Sequence, residues 1–174
     1  MHNGVTILKK EIWLSSKKIC LSTDAAQSKG FAAVFGDYWA TGSWDDQVSH
    51  LHITILELYP IVLSLYLWGN YLKDKCVIFL CDNQAVVDIL NSQTSKDKVV
   101  MILVRQFVLL CLKFNIWFRL KHIKGKHNTV PDCLSRFQVH KARQHQPTLK
   151  ATATPVPLPI QLSTLLSSNY YSLP

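Results

Sequence analysis

The run Cys76–Cys81 (CVIFLC) constrains the fold more than any other segment, because it contains no polar residue and is stopped abruptly by Asp82. A half-exposed strand alternates apolar with polar side chains. A strand apolar on both sides of its pleat is expected at the centre of a sheet, covered on both faces, and such strands are typical of parallel sheets. Parallel neighbours need long crossover connections, usually helical, so the flanking chain has to supply helices. Residues 54–71 fit that need, with Leu58, Ile61, Leu65, Trp68 and Leu72 spaced at three and four and Thr54 as the expected N-cap. Pro60 lies five or six residues into this helix and predicts a kinked or late-starting first turn.

The other elements follow from the same periodicities. Residues 18–24 and 31–35 read as a hairpin around Gly30, and residues 38–44 as a third strand. Beyond the apolar run come a short helix over 85–90, a longer one over 96–114 with Val99, Leu103, Phe107, Leu110 and Phe114 on one side, a strand over 116–120, and a helix over 130–137. Composition divides the chain into a basic leader (1–17), an apolar-periodic body (18–137) and a tail (138–174). The tail carries four of the seven prolines between Pro147 and Pro159 and no acid, so it is expected to be disordered.

With 48% apolar and 17% charged residues, 174 residues support one domain and exclude collagen-like, coiled-coil and disordered classes. Residues 1–100 hold nine basic and ten acidic side chains, while residues 101–174 hold ten basic ones and a single acid, Asp132. The positive field is therefore concentrated in the second half, which favours a polyanionic partner. Five cysteines with no C-x-x-C pair predict a reducing, intracellular setting, cytoplasmic or nuclear. No stretch reaches the roughly 18–20 uncharged apolar residues of a membrane span, so no membrane partner is expected. His50 and His52 have the spacing of a metal pair but lack further ligands, and read as loop residues.

Four acids stand out. Asp24 and Asp82 each end an apolar strand, where open parallel sheets collect ligands. Glu57 falls in the first turn of the long expected helix, and Asp132 near the start of the last. Each has an ordinary explanation: Thr54-x-x-Glu57 is also a capping box, an aspartate after a strand often caps a loop, and Asp132 suits a helix dipole. Brought together, however, such carboxylates repel one another unless a divalent cation balances them, and an all-oxygen set suits Mg²⁺ better than Zn²⁺.

Five pieces of sequence in order resemble the ribonuclease H domain of reverse-transcribing elements, most closely that of DIRS-like retroelements. They are STDAA (22–26), ITILEL (53–58), CDNQAVV (81–87), SKD (95–97) and HIKGKHNTVPDCLSR (122–136), and the resemblance spans residues 13–137. It implies an α/β fold of ribonuclease H type, a five-stranded mixed sheet of order 3-2-1-4-5 with helices on both faces. The first three strands would be antiparallel, and the fourth and fifth parallel to the first. It also implies Mg²⁺-dependent endonucleolytic hydrolysis of the RNA strand of RNA–DNA hybrids. Asp24, Glu57, Asp82 and Asp132 fall on the family's acidic quartet for two Mg²⁺ ions, with Mn²⁺ as substitute, and His122 on its loop histidine. Asn83, Gln84, Lys121, Lys124, Lys126, Asn128 and Arg136 fall on or beside positions expected to meet the hybrid. A reverse transcriptase domain in a longer polyprotein is the implied partner. The basic handle of several cellular ribonucleases H is missing here, as it is in the retroelement versions, since residues 91–98 lead directly into the next helix, so low hybrid affinity is expected for the isolated domain. A retained, non-catalytic domain that binds nucleic acid or protein is the alternative.

Overall fold

The computed structural model describes residues 13–15, 19 and 21–168. In chain order its elements are β1 (Trp13–Ser15), β2 (Leu21–Ala26), β3 (Gly30–Phe35), β4 (Tyr38–Ser43), α1 (Ile53–Trp68), β5 (Cys76–Cys81), α2 (Gln84–Ser92), α3 (Lys98–Lys113), β6 (Trp117–His122), α4 (Thr129–Ser135), α5 (Val139–His145) and α6 (Leu162–Ser168). Short 3₁₀ turns occupy Gly69–Leu72, Gly125–His127 and Leu158–Ile160.

Parallel pairing on both sides makes β5 central, with β1 along one edge and β6 along the other. A second, antiparallel ladder joins β2, β3 and β4, and Gly36, at φ +57°, makes the turn from β3 to β4. The single sheet of order 3-2-1-4-5 is thus replaced by two hydrogen-bonded groups, β1-β5-β6 and β2-β3-β4. Trp13, Leu14 and Ser15 pair with Cys76, Val77 and Ile78, the first half of β5, and β2 packs beside β5 without a ladder among the described residues. The basic leader therefore contributes a strand to the domain; residues 1–12 and 16–18 lie outside the described residues.

One face of β5 is fully buried, through Val77, Phe79 and Cys81, while Cys76, Ile78 and Leu80 are only half-buried. The expectation of complete burial on both faces fails because α4 packs on β2, β3 and β4 rather than over β5. On the inner side Phe79 meets Phe107 of α3 edge-on at 5.6 Å, and Phe107 meets Phe118 of β6 at 4.7 Å. Helix α1 packs on β2, β3 and α3, which accounts for its apolar character all round. Its extension Ile53–Leu72 is long and apolar enough to cross a membrane, but 72% of that window is buried inside the fold as its central helix.

Helix α1 starts earlier than expected. His52, not Thr54, is the N-cap, its Nδ1 accepting the Thr54 N–H at 3.3 Å, and the helix runs through Pro60 to Trp68. The proline lacks an amide hydrogen, so α1 loses one internal bond, and burial of Leu56, Leu58 and Leu63 offsets it at about 1.5–3 kcal/mol per side chain.

The largest departure is the tail, which packs against the body through residue 168. Residues 146–154 run along the edge of β4: Gln146 donates to Gly36 O at 2.8 Å, Lys150 N–H to Asp37 O at 2.9 Å, and Thr154 N–H to Trp39 O at 2.6 Å, while Trp39 Nε1 donates to Lys150 O at 2.9 Å. Leu149 is buried beside Trp39, Leu134 and Ala142. Farther on, Tyr59 OH donates to Ile160 O at 3.1 Å, and Leu162 and Leu165 enter the main core. Proline-rich composition marked an extended path here, but that path is satisfied by a sheet edge.

Candidate active site

Contrary to expectation, Asp24 does not end its strand but lies in the middle of β2, which stays paired through Ala26; β5 delivers Asp82 just past its last residue, and α1 and α4 carry Glu57 and Asp132 toward them. Asp24 lies in β2 opposite Ala32, and Asp82 follows the last residue of β5. Because His52 caps α1, Glu57 sits two residues beyond the position from which a capping box reaches back, and its side chain lies with Asp82 and Cys81 instead. An oxygen of Glu57, an oxygen of Asp82 and Cys81 Sγ all lie within 4.8 Å of one another. Cys81 belongs to the inward face of β5, and burial pushes its thiol up to about 12.

The four carboxylates feel one another. Burial raises Asp24 to about 6, against the lowering effect of a hydrogen bond from Ser135, and the negative charges of Asp132 and Asp82 raise it further. Burial likewise raises Glu57 to about 7, with a hydrogen bond from the Asn83 side chain lowering it and the charges of Asp82 and Asp24 adding to the rise. Asp132 is balanced by Arg136, whose Nε donates to Asp132 Oδ1 at 2.9 Å.

These residues fit divalent metal. Among the described residues Glu57 Oε2 is enclosed with no hydrogen-bond partner, an orphan acceptor that a cation would satisfy. Among the described residues Glu57 and Asp82 offer hard oxygen donors close enough to share a cation, Asp24 and Asp132 lie near enough for their charges to act on the group, and this repulsion is what a cation relieves.

The loop after β6 closes against Asp82. His122 Nε2 lies 3.1 Å from Asp82 O at the exposed rim. A Cβ at Gly125 would come within 2.9 Å of Asp82 Oδ2, so a larger residue here would push the carboxylate from its present position.

Of the residues expected to meet nucleic acid, Lys121, Lys124 and Lys126 are exposed along the end of β6 and this loop. Others are committed inside the protein. Asn83 caps α2, accepting the N–H groups of Ala85 and Val86 at 2.9 and 3.3 Å, and Gln84, exposed, donates to Asp88 Oδ1 at 2.7 Å. Asn128 is buried, contrary to a surface role, and its amide donates to Thr23 O at 2.8 Å and reaches Asp24 Oδ1 at 3.4 Å. Arg136 is exposed but bound to Asp132.

Sequence reasoning missed Ser135, which is fully buried and donates to Asp24 Oδ2 at 2.6 Å. A signal existed: positions 128, 132 and 135 share one face of α4 by their spacing of four and three. Cys81 was also missed, although strand alternation from Val77 and Phe79 places it inward.

No protein-family model matches the chain, and no curated protein matches it. Among solved structures it is similar to RNase H1 from the halophilic archaeon Halobacterium salinarum NRC-1, with 13% identity, a TM-score of 0.51, and coverage of 75% of this chain and 98% of that one. It is also similar to the N-terminal RNase H domain of rv2228c from Mycobacterium tuberculosis, determined as a fusion with maltose binding protein, with 16% identity, a TM-score of 0.49, and coverage of 72% and 94%. The fold is an α/β fold resembling RNase H, with mixed strand pairing.

Proposed function

We propose that the chain is a Mg²⁺-dependent endonuclease that hydrolyses the RNA strand of RNA–DNA hybrids and derives from a DIRS-like retroelement. The observation that carries this reading is the convergence of Asp24, Glu57, Asp82 and Asp132 from four separate elements, with one Glu57 oxygen enclosed and unpartnered. Two bound cations would supply an activated water and charge stabilisation at the leaving oxygen of a phosphodiester.

The protein's own groups have defined tasks in this scheme. Asp24, within β2, and Asp82, just past β5, would hold the cations between them; Glu57 would offer its unpartnered oxygen to one and Asp132 its carboxylate to the other. For Asp132 this means exchanging its bond to Arg136. His122, beside Asp82 at the open rim, would move a proton to or from the leaving group or product. Lys121, Lys124 and Lys126 would attract backbone phosphates, and shape together with 2′-hydroxyl contacts would select the hybrid. Cleavage would leave a 3′-hydroxyl and a 5′-phosphate.

The test is cleavage of a labelled RNA–DNA hybrid, duplex DNA and duplex RNA, each with Mg²⁺ and with chelator. Cleavage of the hybrid's RNA strand alone, lost in chelator, supports the proposal. Binding of hybrid without cleavage under any divalent cation would overturn it in favour of a retained binding domain.

A further inference from the structure

We infer that Ser135 is a positioning residue, which with Asn128 clamps the Asp24 carboxylate in the orientation where it and Asp132 face a common cation. The inference rests on the proposed metal role of these acids and concerns how the chain prepares them for it.

Ser135 is 0% exposed and Asn128 7%, so neither side chain is available to solvent or substrate. The Ser135 hydroxyl has one proton and two acceptors in reach, Asp24 Oδ2 at 2.6 Å and Asp132 O at 2.9 Å. The shorter distance and the charge of the carboxylate direct the proton to Asp24. Asn128 has two amide hydrogens, one on Thr23 O at 2.8 Å and one reaching Asp24 Oδ1 at 3.4 Å. Both oxygens of Asp24 therefore receive a donor from the segment that carries Asp132. Asn128, Asp132 and Ser135 lie on one helix face, so the two donors bracket the second acid. Thr41 Oγ1 lies 3.0 Å from Leu134 O and ties the end of α4 to β4, which limits sliding of the whole segment.

A free aspartate rotates about its terminal torsion, and a cation that binds it has to stop that rotation. Fixing the carboxylate plane in advance removes the cost while leaving each oxygen a lone pair for the metal.

The experiment is titration calorimetry of the full chain with Mn²⁺ alone, without nucleic acid. Ser135→Ala is expected to weaken Mn²⁺ binding by about 10–100-fold, with the metal-free melting midpoint little changed. Ser135→Cys keeps the shape with a much weaker donor and falls between, and Ser135→Thr restores binding. In an Asp24→Asn background, Ser135→Ala has no further effect on Mn²⁺. Parent-like Mn²⁺ affinity in Ser135→Ala overturns the inference, as does an equal loss in the Asp24→Asn background or a parent that binds no Mn²⁺. If Ser135→Ala does not fold, a parent-like affinity in Ser135→Cys overturns it equally. A parent that binds Mn²⁺ with this dependence but cleaves no hybrid leaves the clamp standing and removes the hydrolytic reading.

Discussion

Asp24 and Glu57 are held in the fold against their own charge, and that has a measurable consequence. Their pKa values rise to about 6 and about 7, first through burial and then through neighbouring carboxylates. The folded state therefore binds more protons than the unfolded one over the window from the ordinary carboxylate range up to about pH 7. Without metal, the stability from this linkage is complete below about pH 4 and is lost as pH climbs through 6 and 7. The loss is on the order of 1–2 kcal/mol per group, after discounting for the solvent that still reaches both side chains. Thermal melts in chelator should show the midpoint falling between about pH 5 and pH 8, and Mg²⁺ should flatten that fall by holding the carboxylates ionised. A midpoint that rises over this range in chelator contradicts the account. Asp82→Asn removes one of the converging charges, so hybrid cleavage should fall by about 10³-fold or more while the metal-free melting midpoint does not drop. Gel-resolved cleavage and a thermal melt of the same sample check both halves. Asp82 was legible in the sequence because it ends an apolar strand; Asp24 was singled out on the same ground, but its strand continues past it to Ala26. Glu57 was ambiguous until His52 proved to be the cap, because the choice between a capping box and an inward carboxylate depends on a two-residue shift in where α1 begins. For Ser135 the spacing gave only the helix face it shares with Asn128 and Asp132; that β2 and Asp24 pack against this face is decided by the tertiary fold.

At the level of elements, the exposed edge of β6 is closed by a single side chain. Asn91 of α2 donates to Leu120 O at 3.0 Å and accepts Leu120 N–H at 2.9 Å, and Leu120 itself is buried. Asn91→Ala would leave both main-chain groups without these partners, at a cost of about 1–3 kcal/mol. A urea denaturation midpoint lowered with unchanged slope is the expected result; an unchanged midpoint would mean that water replaces the amide fully. The tail offers a second case. Ending the chain after Pro155 removes Leu162 and Leu165 from the core, and burial of each is worth about 1.5–3 kcal/mol. The shortened protein should melt well below the full chain, and equal midpoints would show that α6 contributes nothing. Periodicity recovered the helices and strands of the body because their apolar faces repeat at 3.6 or 2 residues, as in Cys76–Cys81, whose expected bounds match the strand. It failed on the tail, where Leu149 stands alone and Leu162, Leu165 and Leu166 make barely one helical repeat in a proline-rich stretch, so their burial depends on the body they pack against. The pairing of Trp13–Ser15 with β5 was equally hidden, because three residues carry no period.

Across the whole molecule the charge is asymmetric, and the acids at the site sit beside the basic half of the chain. The formal charge is +8, with ten of the nineteen basic residues in positions 101–174. Lys121, Lys124 and Lys126 are exposed within a few residues of His122 and of the Gly125 contact with Asp82. Long-range attraction to a polyanion would therefore act next to the carboxylates and not on a distant face. Helices α2 and α3 are joined by only residues 93–97, with no basic extension between them, so these lysines have to supply much of the phosphate contact. Replacing all three with glutamate should weaken hybrid binding strongly and reduce the slope of log affinity against log salt by roughly 2–3, since each phosphate contact contributes about 0.7–0.9. The turnover rate at saturating hybrid should stay within a few-fold of the parent, because none of the three holds a metal or moves a proton in the proposed scheme. Binding measured by fluorescence anisotropy at several salt concentrations, with rates from the same preparations, separates the two effects. An unchanged salt slope would show that the hybrid approaches the acids from another side, and that the positive charge of this loop serves solvation alone.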